Sequence, residues 1–228
     1  KGIPKKNIAN LMGKPLIRWT IDAALELFPS EDVFVSTDST EIEDLASEAG
    51  ASVIRRGDSC SSDTDSSASV VFDAFERLEN TLKVNIKKKY QVLILLQPTS
   101  PFRSSACLKR ALHAYGNDSR SKSLMSVMRE NSKCLKYLVN DKDEYLKGIH
   151  NNTAISIPRQ QLPEVYAPNG AIFMVEIESF IEKKSFLVSP CQKFIMCKDA
   201  SLDIDTEEDL KCANSIFTLP ICKDKHCD

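Results

Sequence analysis

Two aspartates separated by one apolar residue, Asp203 and Asp205, are the residues of this 228-residue chain best suited to chemistry. On an extended backbone alternate side chains share a face, so both carboxylates would point one way, with Cβ atoms roughly 7 Å apart. Such a pair can hold a hard divalent cation, one carboxylate directly and the other through water, as is usual for Mg²⁺. A structural interpretation stands beside this one. Asp205 or Thr206 is a good N-cap, and residues 207–209 are acidic, which suits a helix N-terminus.

Positive charge for an anionic ligand is concentrated in the N-terminal loop, residues 1–10. This loop holds Lys1, Lys5 and Lys6 ahead of a helix that Pro15 opens. Free backbone N–H groups and the helix dipole favour phosphate at such a position, and Lys6 is the best candidate. The sequence lacks the pattern Gly-x-x-x-x-Gly-Lys-Ser/Thr. The loop is therefore either a phosphate site of another kind or solvated surface.

Three further polar stretches could bind a ligand. Arg56, Ser66 and Ser67 flank a loop before a predicted helix, and they could hydrogen-bond a ribose or base, or simply cap that helix. Gln97 follows the most apolar run of the chain and could turn its amide into a cleft or stabilise its own loop. Arg159 offers a planar, permanently charged fork that fits a carboxylate through two hydrogen bonds.

The composition describes an ordinary globular protein and excludes two classes of partner. Hydrophobic residues make up 42% and charged residues 27%, and the formal net charge is −2. That balance argues against general nucleic-acid or membrane-surface binding, and no apolar run reaches the roughly 18 residues of a membrane span. The eight cysteines form no Cys-x-x-Cys pair, which favours reduced thiols over a zinc site or disulfides. We therefore expect a cytoplasmic protein.

Strands alternating with helices predict a doubly wound, mostly parallel α/β sheet. The predicted strands are 32–37, 52–54, 91–96, 123–128, 171–175 and 194–197, and the predicted helices begin near residues 15, 41, 67, 105 and 210. The run 91–96 lacks alternation, so both of its faces should be buried. In such sheets ligands bind beyond the carboxyl ends of the strands. Asp38, Gln97 and the pair Asp203 and Asp205 all follow predicted strands.

We expect a single domain, residues 1–228, in which residues 130–190 form an inserted lobe that pairs with a second subunit. Prolines recur in this lobe, and an Asn169-Gly170 turn precedes its strand. Arg103 could simply be exposed to solvent. The chain begins at Lys1 with no initiator Met and reads as the middle of a loop, so we expect a preceding segment to be missing.

Seven short motifs occur along the chain. They are Lys1-Gly-Ile-Pro-Lys-Lys-Asn7, Val35-Ser-Thr-Asp38, Asp63-Thr-Asp-Ser-Ser67, Leu95-Leu-Gln-Pro-Thr-Ser-Pro101, Pro158-Arg-Gln-Gln-Leu-Pro163, Pro168-Asn-Gly-Ala-Ile172 and Ser201-Leu-Asp-Ile-Asp-Thr206. Each motif alone is weak. In this order, and over essentially the whole chain, they resemble the CMP-sialic acid synthetases, also called acylneuraminate cytidylyltransferases.

The resemblance implies transfer of CMP from CTP to the anomeric hydroxyl of sialic acid, with release of pyrophosphate and with Mg²⁺ as cofactor. It implies that CTP is bound by Lys6, Asn7, Arg56, Ser66 and Ser67. It implies that the sugar is bound by Gln97, Arg159, Asn169, Phe173 and Phe186, with Phe186 near the sugar site of a neighbouring subunit in a homodimer. Asp203 and Asp205 would bind Mg²⁺ and, with Lys6, would be the catalytic residues.

Departures from the family pattern keep two alternatives open. Bacterial relatives often have a basic residue in place of Ala167, a tyrosine in place of Phe173 and a second aromatic residue in place of Leu187. The sugar could therefore be legionaminic, pseudaminic or 3-deoxy-octulosonic acid, although the stretch 158–163 favours sialic acid. The family normally has a strand and a glycine-rich, arginine-bearing loop before the match to Lys1. A truncated, non-catalytic nucleotide-binding chain is the second alternative.

Overall fold

Ten strands and seven α-helices are present in the computed structural model, which describes residues 3–57, 66–83, 85–141 and 145–217. The strands are β1 (Asn10–Leu11), β2 (Lys14–Pro15), β3 (Phe34–Thr37), β4 (Ser52–Arg55), β5 (Val92–Leu95), β6 (Ser123–Glu130), β7 (Leu138–Asn140), β8 (Leu146–Gly148), β9 (Val165–Glu176) and β10 (Cys191–Ile195). The helices are α1 (Leu16–Leu25), α2 (Thr40–Ala49), α3 (Ser67–Leu82), α4 (Ile86–Lys89), α5 (Ser105–Gly116), α6 (Ile177–Lys183) and α7 (Glu207–Phe217).

The central sheet has the strand order β10-β6-β9-β5. Strand β10 runs parallel to β6, while β9 is antiparallel to both β6 and β5. Three of the four strands therefore point the same way, and their carboxyl ends lie at the same end of the sheet. The predicted α/β fold with a mostly parallel sheet is confirmed.

Helices cover both faces of this sheet, as a doubly wound fold requires. On one face Leu108 and Ala111 of α5 pack against Leu124 and Met174. On the other face α3 and α6 pack against Val175 and Leu93. Met174 and Val175 are adjacent in β9 and fully buried on opposite faces, because successive side chains of a strand alternate.

A second, two-stranded sheet pairs β3 with β4 in parallel, and helices α1 and α2 pack against it. Helix α2 ends at Gly50, which has φ +88° and ψ +11° and whose N–H donates to the carbonyls of Ala46 and Ser47. Only glycine adopts this left-handed conformation at little cost, so the predicted helix end is confirmed. Residues 38–41, which run from the end of β3 into the first turn of α2, lie next to the N-terminal loop, as described below.

The predicted lobe, residues 130–190, is divided between two places. Strand β9 and helix α6 belong to the central sheet and its covering layer, because β9 pairs with both β5 and β6. The described residues 131–141 and 145–164 form the remainder, and they contain three 3₁₀ turns and the antiparallel hairpin β7–β8. We call these described residues the hairpin segment.

Hydrophobic side chains pack on both faces of β5, as expected, although its residues are partly exposed. Val92 and Ile94 pack with the cluster that contains α5, and Leu93 and Leu95 pack with the cluster that contains α3 and α6. A 3₁₀ turn (Asp199–Ser201) lies between β10 and the Asp203–Asp205 pair, and α7 follows the pair. In the described part of the chain, no helix combines the length and the apolar character needed to cross a bilayer.

Candidate active site

The segment 202–205 has the alternation that the sequence predicts. Ile204 is fully buried and packs with Leu11, Leu16 and Ala213, and Leu202 packs against the same cluster. Asp203 is half-buried and Asp205 is exposed. Because the apolar side chains point into the core, the two aspartates lie on the opposite face of the segment.

Asp203 is the most unusual carboxylate of this region. Burial raises its pKa above the ordinary value of 3.8, a hydrogen bond from Thr99 and the charge of Lys6 lower it, and the charge of Asp205 raises it further. Its Oδ1 atom is buried and has no hydrogen-bond partner among the described residues. A buried carboxylate oxygen without a donor, beside a second carboxylate, has the chemistry of a cation ligand.

The helix cap is formed by Thr206, one of the two predicted candidates, together with Asp209. Thr206 Oγ1 accepts a hydrogen bond from Asp209 N at 3.2 Å, and Asp209 Oδ2 accepts from the backbone N–H of Thr206 at 2.8 Å and of Asp205 at 3.1 Å. This reciprocal arrangement is a capping box. The carboxylates of Asp203 and Asp205 therefore remain available for another role.

Lys6 contacts Asp205 of this pair. Its Nζ lies 2.6 Å from Asp205 Oδ1, with 30% of the lysine side chain and 64% of the aspartate side chain exposed. Lys6 belongs to a 3₁₀ turn, Lys6–Ile8, which also contains the partly exposed Asn7. The structure thus brings the predicted phosphate-binding lysine and the predicted metal-binding pair into contact, although they are 199 residues apart in the sequence.

Two basic residues contact the segment that runs from the end of β3 into the start of α2. Lys5 Nζ lies 2.5 Å from Glu41 Oε1, and Arg56 Nη2 lies 2.8 Å from Asp38 Oδ1. The N-terminal loop and Arg56, a predicted nucleotide-binding residue, therefore contact the same short segment. Ser66 caps α3 by accepting from Ser69 N at 3.1 Å.

Ser67 is the exposed first residue of α3. Ser66 therefore caps a helix, as one of the two interpretations expects. Because its oxygen accepts a hydrogen bond, its hydroxyl group can still donate one to a neighbouring residue or to a ligand. Residues 63–65 of the matching motif lie outside the described residues.

Gln97 lies against the turn of β9. Gly170 has φ +74°, and a Cβ added there would overlap Gln97 Oε1 and crowd Ser100 Oγ. The glycine is therefore required twice, for its backbone conformation and for the close approach of the Gln97 amide.

Asn169 is buried, with only 5% of its surface exposed, and its amide is occupied on both sides. The Oδ1 atom accepts from Ser126 Oγ at 2.5 Å and from Ala171 N at 3.2 Å, and Nδ2 donates to Ser201 Oγ at 2.8 Å. The structure thus places this predicted sugar-binding residue inside a hydrogen-bond network, where it is shielded from solvent.

Arg103 is 1% exposed, so it does not lie in solvent. Its Nη1 donates to Ala171 O at 2.7 Å, while Nε and Nη2 have no hydrogen-bond partner within the described ranges. Burial lowers the pKa of the guanidinium from 12.5 to about 10. It remains charged at neutral pH and ties the loop after β5 to β9.

Arg159 and the two predicted aromatic residues lie apart from these contacts. Arg159 is exposed in a 3₁₀ turn of the hairpin segment, and no described hydrogen bond or ion pair links it to Gln97 or Lys6. Phe173 and Phe186 are partly buried and pack together, with ring centroids 5.7 Å apart. Phe186 also packs on Phe180 at 4.9 Å, so part of its surface is used inside its own subunit.

The structure thus brings a carboxylate pair and a lysine together beside Thr99, in the loop after β5. A family model described as "Cytidylyltransferase" matches residues 1–218. The chain belongs to the cytidylyltransferase family. Among its relatives, an N-acylneuraminate cytidylyltransferase of Streptococcus agalactiae serotype III is 35% identical over 211 residues, which are 92% of this chain and 48% of that protein.

A second relative is the CMP-N,N'-diacetyllegionaminic acid synthase of Legionella pneumophila. It is 31% identical over 229 residues, which are 96% of this chain and 92% of that protein. This cytidylyltransferase chain thus spans about half the length of the Streptococcus relative and nearly all of the Legionella one. A solved structure of CMP:2-keto-3-deoxy-manno-octonic acid synthetase complexed with CTP matches with TM-score 0.64 at 15% identity, over 95% of this chain and 93% of that one, which shows the fold.

Sequence reasoning missed three buried polar residues of this cytidylyltransferase: Ser126, Ser201 and Arg103. A serine within a strand or a short turn gives no signal of its own, and its hydrogen bonds depend on residues far along the chain. For Arg103, the signal available was its position two residues after Pro101 in a loop that follows an apolar strand. That position does not reveal burial.

Proposed function

We propose that this chain transfers CMP from CTP to the anomeric hydroxyl of an acidic nine-carbon sugar, and that the sugar is N-acetylneuraminic acid. The observation that carries the proposal is the contact of Lys6 with the Asp203–Asp205 pair. The family membership and the S. agalactiae relative's name support the reaction class. The bond from the anomeric oxygen to the α-phosphorus forms, the bond from that phosphorus to pyrophosphate breaks, and the hydroxyl proton passes to solvent.

Asp203 and Asp205 are the residues that would hold Mg²⁺. Within the described ranges, no group of three histidine, cysteine or acidic side chains could hold a metal ion. Mg²⁺ usually takes one or two carboxylates and completes its coordination with water and substrate phosphates, so a pair is sufficient. When bound, the ion would neutralise charge that develops on the phosphates. The partnerless Oδ1 atom of Asp203 fits this role.

Lys6 and Arg56 provide the positive charge for the triphosphate. Each is held by one carboxylate in the free chain, Lys6 by Asp205 and Arg56 by Asp38. Exposed ion pairs of this kind are worth about 1 kcal/mol or less, so a triphosphate can displace either carboxylate at little cost. A lysine that moves from Asp205 to a phosphate oxygen also leaves that carboxylate to the cation. Metal and nucleotide would therefore bind together.

The acceptor sugar would be bound by Gln97 and by Arg159. The Gln97 amide is fixed against Gly170 at the carboxyl end of β5, where its remaining hydrogen-bonding groups can meet sugar hydroxyls. Arg159 is exposed and free to pair with the carboxylate of the sugar. Legionaminic acid is a second candidate acceptor, because the Legionella relative covers nearly the same length as this chain.

Pyrophosphate release tests the proposal. The purified protein is incubated with CTP, Mg²⁺ and one acidic sugar at a time: N-acetylneuraminic, legionaminic, pseudaminic or 3-deoxy-octulosonic acid. We expect release only when all three components are present, with the highest kcat/KM for N-acetylneuraminic acid. A higher value for another sugar changes the substrate assignment, and no release with any sugar supports a non-catalytic nucleotide-binding chain.

We also propose that the hairpin segment joins two copies of the chain. Its exposed apolar side chains are Tyr137, Leu138, Val139, Tyr145, Leu146, Ile149 and Ile155. An isolated two-stranded hairpin is marginally stable in water, so β7–β8 gains stability if a second copy covers it. Sedimentation should give a dimer that Leu146→Glu dissociates and that Met12→Glu, at an exposed apolar residue outside the segment, leaves intact. A monomeric wild-type protein would disprove the proposal.

A further inference from the structure

Three polar segments at the carboxyl end of the central sheet are joined in a closed ring of hydrogen bonds. Ser100 Oγ, after β5, donates to the carbonyl of Asn169 in β9 at 3.2 Å. Asn169 Nδ2 donates to Ser201 Oγ, after β10, at 2.8 Å. Ile204 N then donates back to the carbonyl of Thr99 at 2.9 Å, which closes the ring. We call these three contacts the loop ring.

The orientation of the Asn169 amide in the loop ring is determined by its neighbours. The backbone N–H of Ala171 can only donate, and it lies 3.2 Å from Oδ1, so this atom must be the oxygen. The opposite atom is therefore the NH₂ group, and Ser201 Oγ must accept from it. Asn169 and Ser201 are 5% and 7% exposed, so solvent offers no ready substitute for this contact.

The loop ring fixes the backbone on which the two aspartates stand. Ser201 is two residues before Asp203, and Ile204 lies between Asp203 and Asp205. Beyond Asp205, the capping box of Thr206 and Asp209 holds the start of α7. The carboxylate pair is thus anchored before, between and after its members, and the first anchor is the side chain of Ser201.

We propose that Ser201 is a positioning residue for the metal site: its hydrogen bond with Asn169 sets the placement of Asp203 and Asp205 without touching metal or substrate. This inference rests on the proposed function, in which those carboxylates hold a divalent cation. Residues that orient metal ligands typically contribute 10- to 100-fold to metal affinity. Loss of the Ser201 hydroxyl should therefore weaken metal binding, while the reacting groups remain present.

Ser201→Ala tests the inference, and Ser123→Ala is its matched control. Ser123 is also a buried serine, but its Oγ bonds to the backbone of Val188, at the amino end of β6 and away from the carboxyl-end loops. Two quantities are measured: the Mn²⁺ dissociation constant of the protein with CTP bound, from water-proton relaxation without the sugar, and the Mg²⁺ concentration that gives half-maximal turnover.

For Ser201→Ala we expect both quantities to rise about tenfold or more, with turnover at saturating Mg²⁺ within about threefold of wild type. Ser123→Ala should lower the melting temperature but leave both quantities unchanged. If Ser201→Ala fails to fold, Ser201→Cys, with similar size and a weaker acceptor, replaces it. Unchanged metal dependence in the folded variant overturns the positioning role. A wild-type protein that binds no Mn²⁺ instead contradicts the metal site, and so the proposed function.

Discussion

Lys5 and Lys6 are adjacent lysines that contact different carboxylates, and they provide a direct test of the site. Lys5 pairs with Glu41 at 2.5 Å and Lys6 pairs with Asp205 at 2.6 Å. Both pairs are solvent-exposed, and such pairs are worth about 1 kcal/mol or less. Lys5→Met and Lys6→Met should therefore each change the free energy of unfolding by no more than about 1 kcal/mol, as measured by urea denaturation.

The two variants should differ in rate. If Lys6 donates to a phosphate oxygen whose charge grows in the transition state, its removal costs about 2.7–4 kcal/mol, as for other preorganised donors. At 1.36 kcal/mol for each factor of ten, this is a loss of about 10²- to 10³-fold in kcat. Lys5 contacts Glu41 at the start of α2, so Lys5→Met should remain within about threefold of wild type.

The assay is steady-state pyrophosphate release at saturating CTP, Mg²⁺ and sugar. The reasoning is refuted if Lys6→Met retains more than about a third of wild-type kcat, or if the two lysine variants lose activity equally. A large loss of stability in Lys6→Met would also contradict it, because the pair with Asp205 would then be a structural contact.

Three further predictions concern single residues. Asp203→Asn should reduce turnover at least 100-fold, while its melting temperature without metal stays the same or rises, since burial disfavours the charged form of this carboxylate; lower stability together with normal turnover would contradict a metal role. Arg103→Ala should reduce the free energy of unfolding by more than about 2 kcal/mol, because it leaves a cavity and an unsatisfied Ala171 carbonyl. Arg103→Met fills the space and should reduce it less. A loss below about 0.5 kcal/mol for Arg103→Ala in urea denaturation would show that the site is not tightly packed. Hydrogen bonds from Lys122 and Ser179 lower the pKa of Glu176 below its ordinary 4.5, so Glu176 stabilises the fold above that pH, and this stabilisation is lost as the pH falls through the lowered value. The free energy of unfolding of Glu176→Gln should therefore be lower than that of wild type by about 1 kcal/mol or less at pH 7, and the two should be equal in acid. A difference in this free energy that persists in acid would contradict a stabilising role for the carboxylate charge.

Local patterns were sufficient to predict much of the fold. The alternation of Leu202 and Ile204 with two aspartates placed the carboxylates on one face, and Gly50 marked a helix end, because each signal depends on a few neighbouring residues. The alternating strands and helices predicted the sheet, since parallel strands require covering helices. Two of the seven motifs, 1–7 and 201–206, contain Lys6 and Asp205, which are in contact in the structure.

Features that depend on distant partners were beyond prediction. The hydrogen bonds of the Asn169 amide with Ser126, Ser201 and Ala171 N could not be predicted, because these partners lie on three separate segments. The burial of Arg103 could not be predicted either, because it depends on how β9 crosses the sheet. The length of β9 was also missed: pairing with both β5 and β6 extends it from the predicted 171–175 to Val165–Glu176.

The central claim is that this chain joins CMP to an acidic sugar with Asp203 and Asp205 as metal ligands. Mass spectrometry of a reaction containing CTP, N-acetylneuraminic acid and Mg²⁺ tests it most directly, with Asp203→Asn analysed in parallel. We expect the wild-type protein to form the CMP ester of the sugar together with pyrophosphate, and the variant to form at least 100-fold less in the same time. Hydrolysis of CTP without a CMP–sugar product, or equal product from the variant, would contradict the claim.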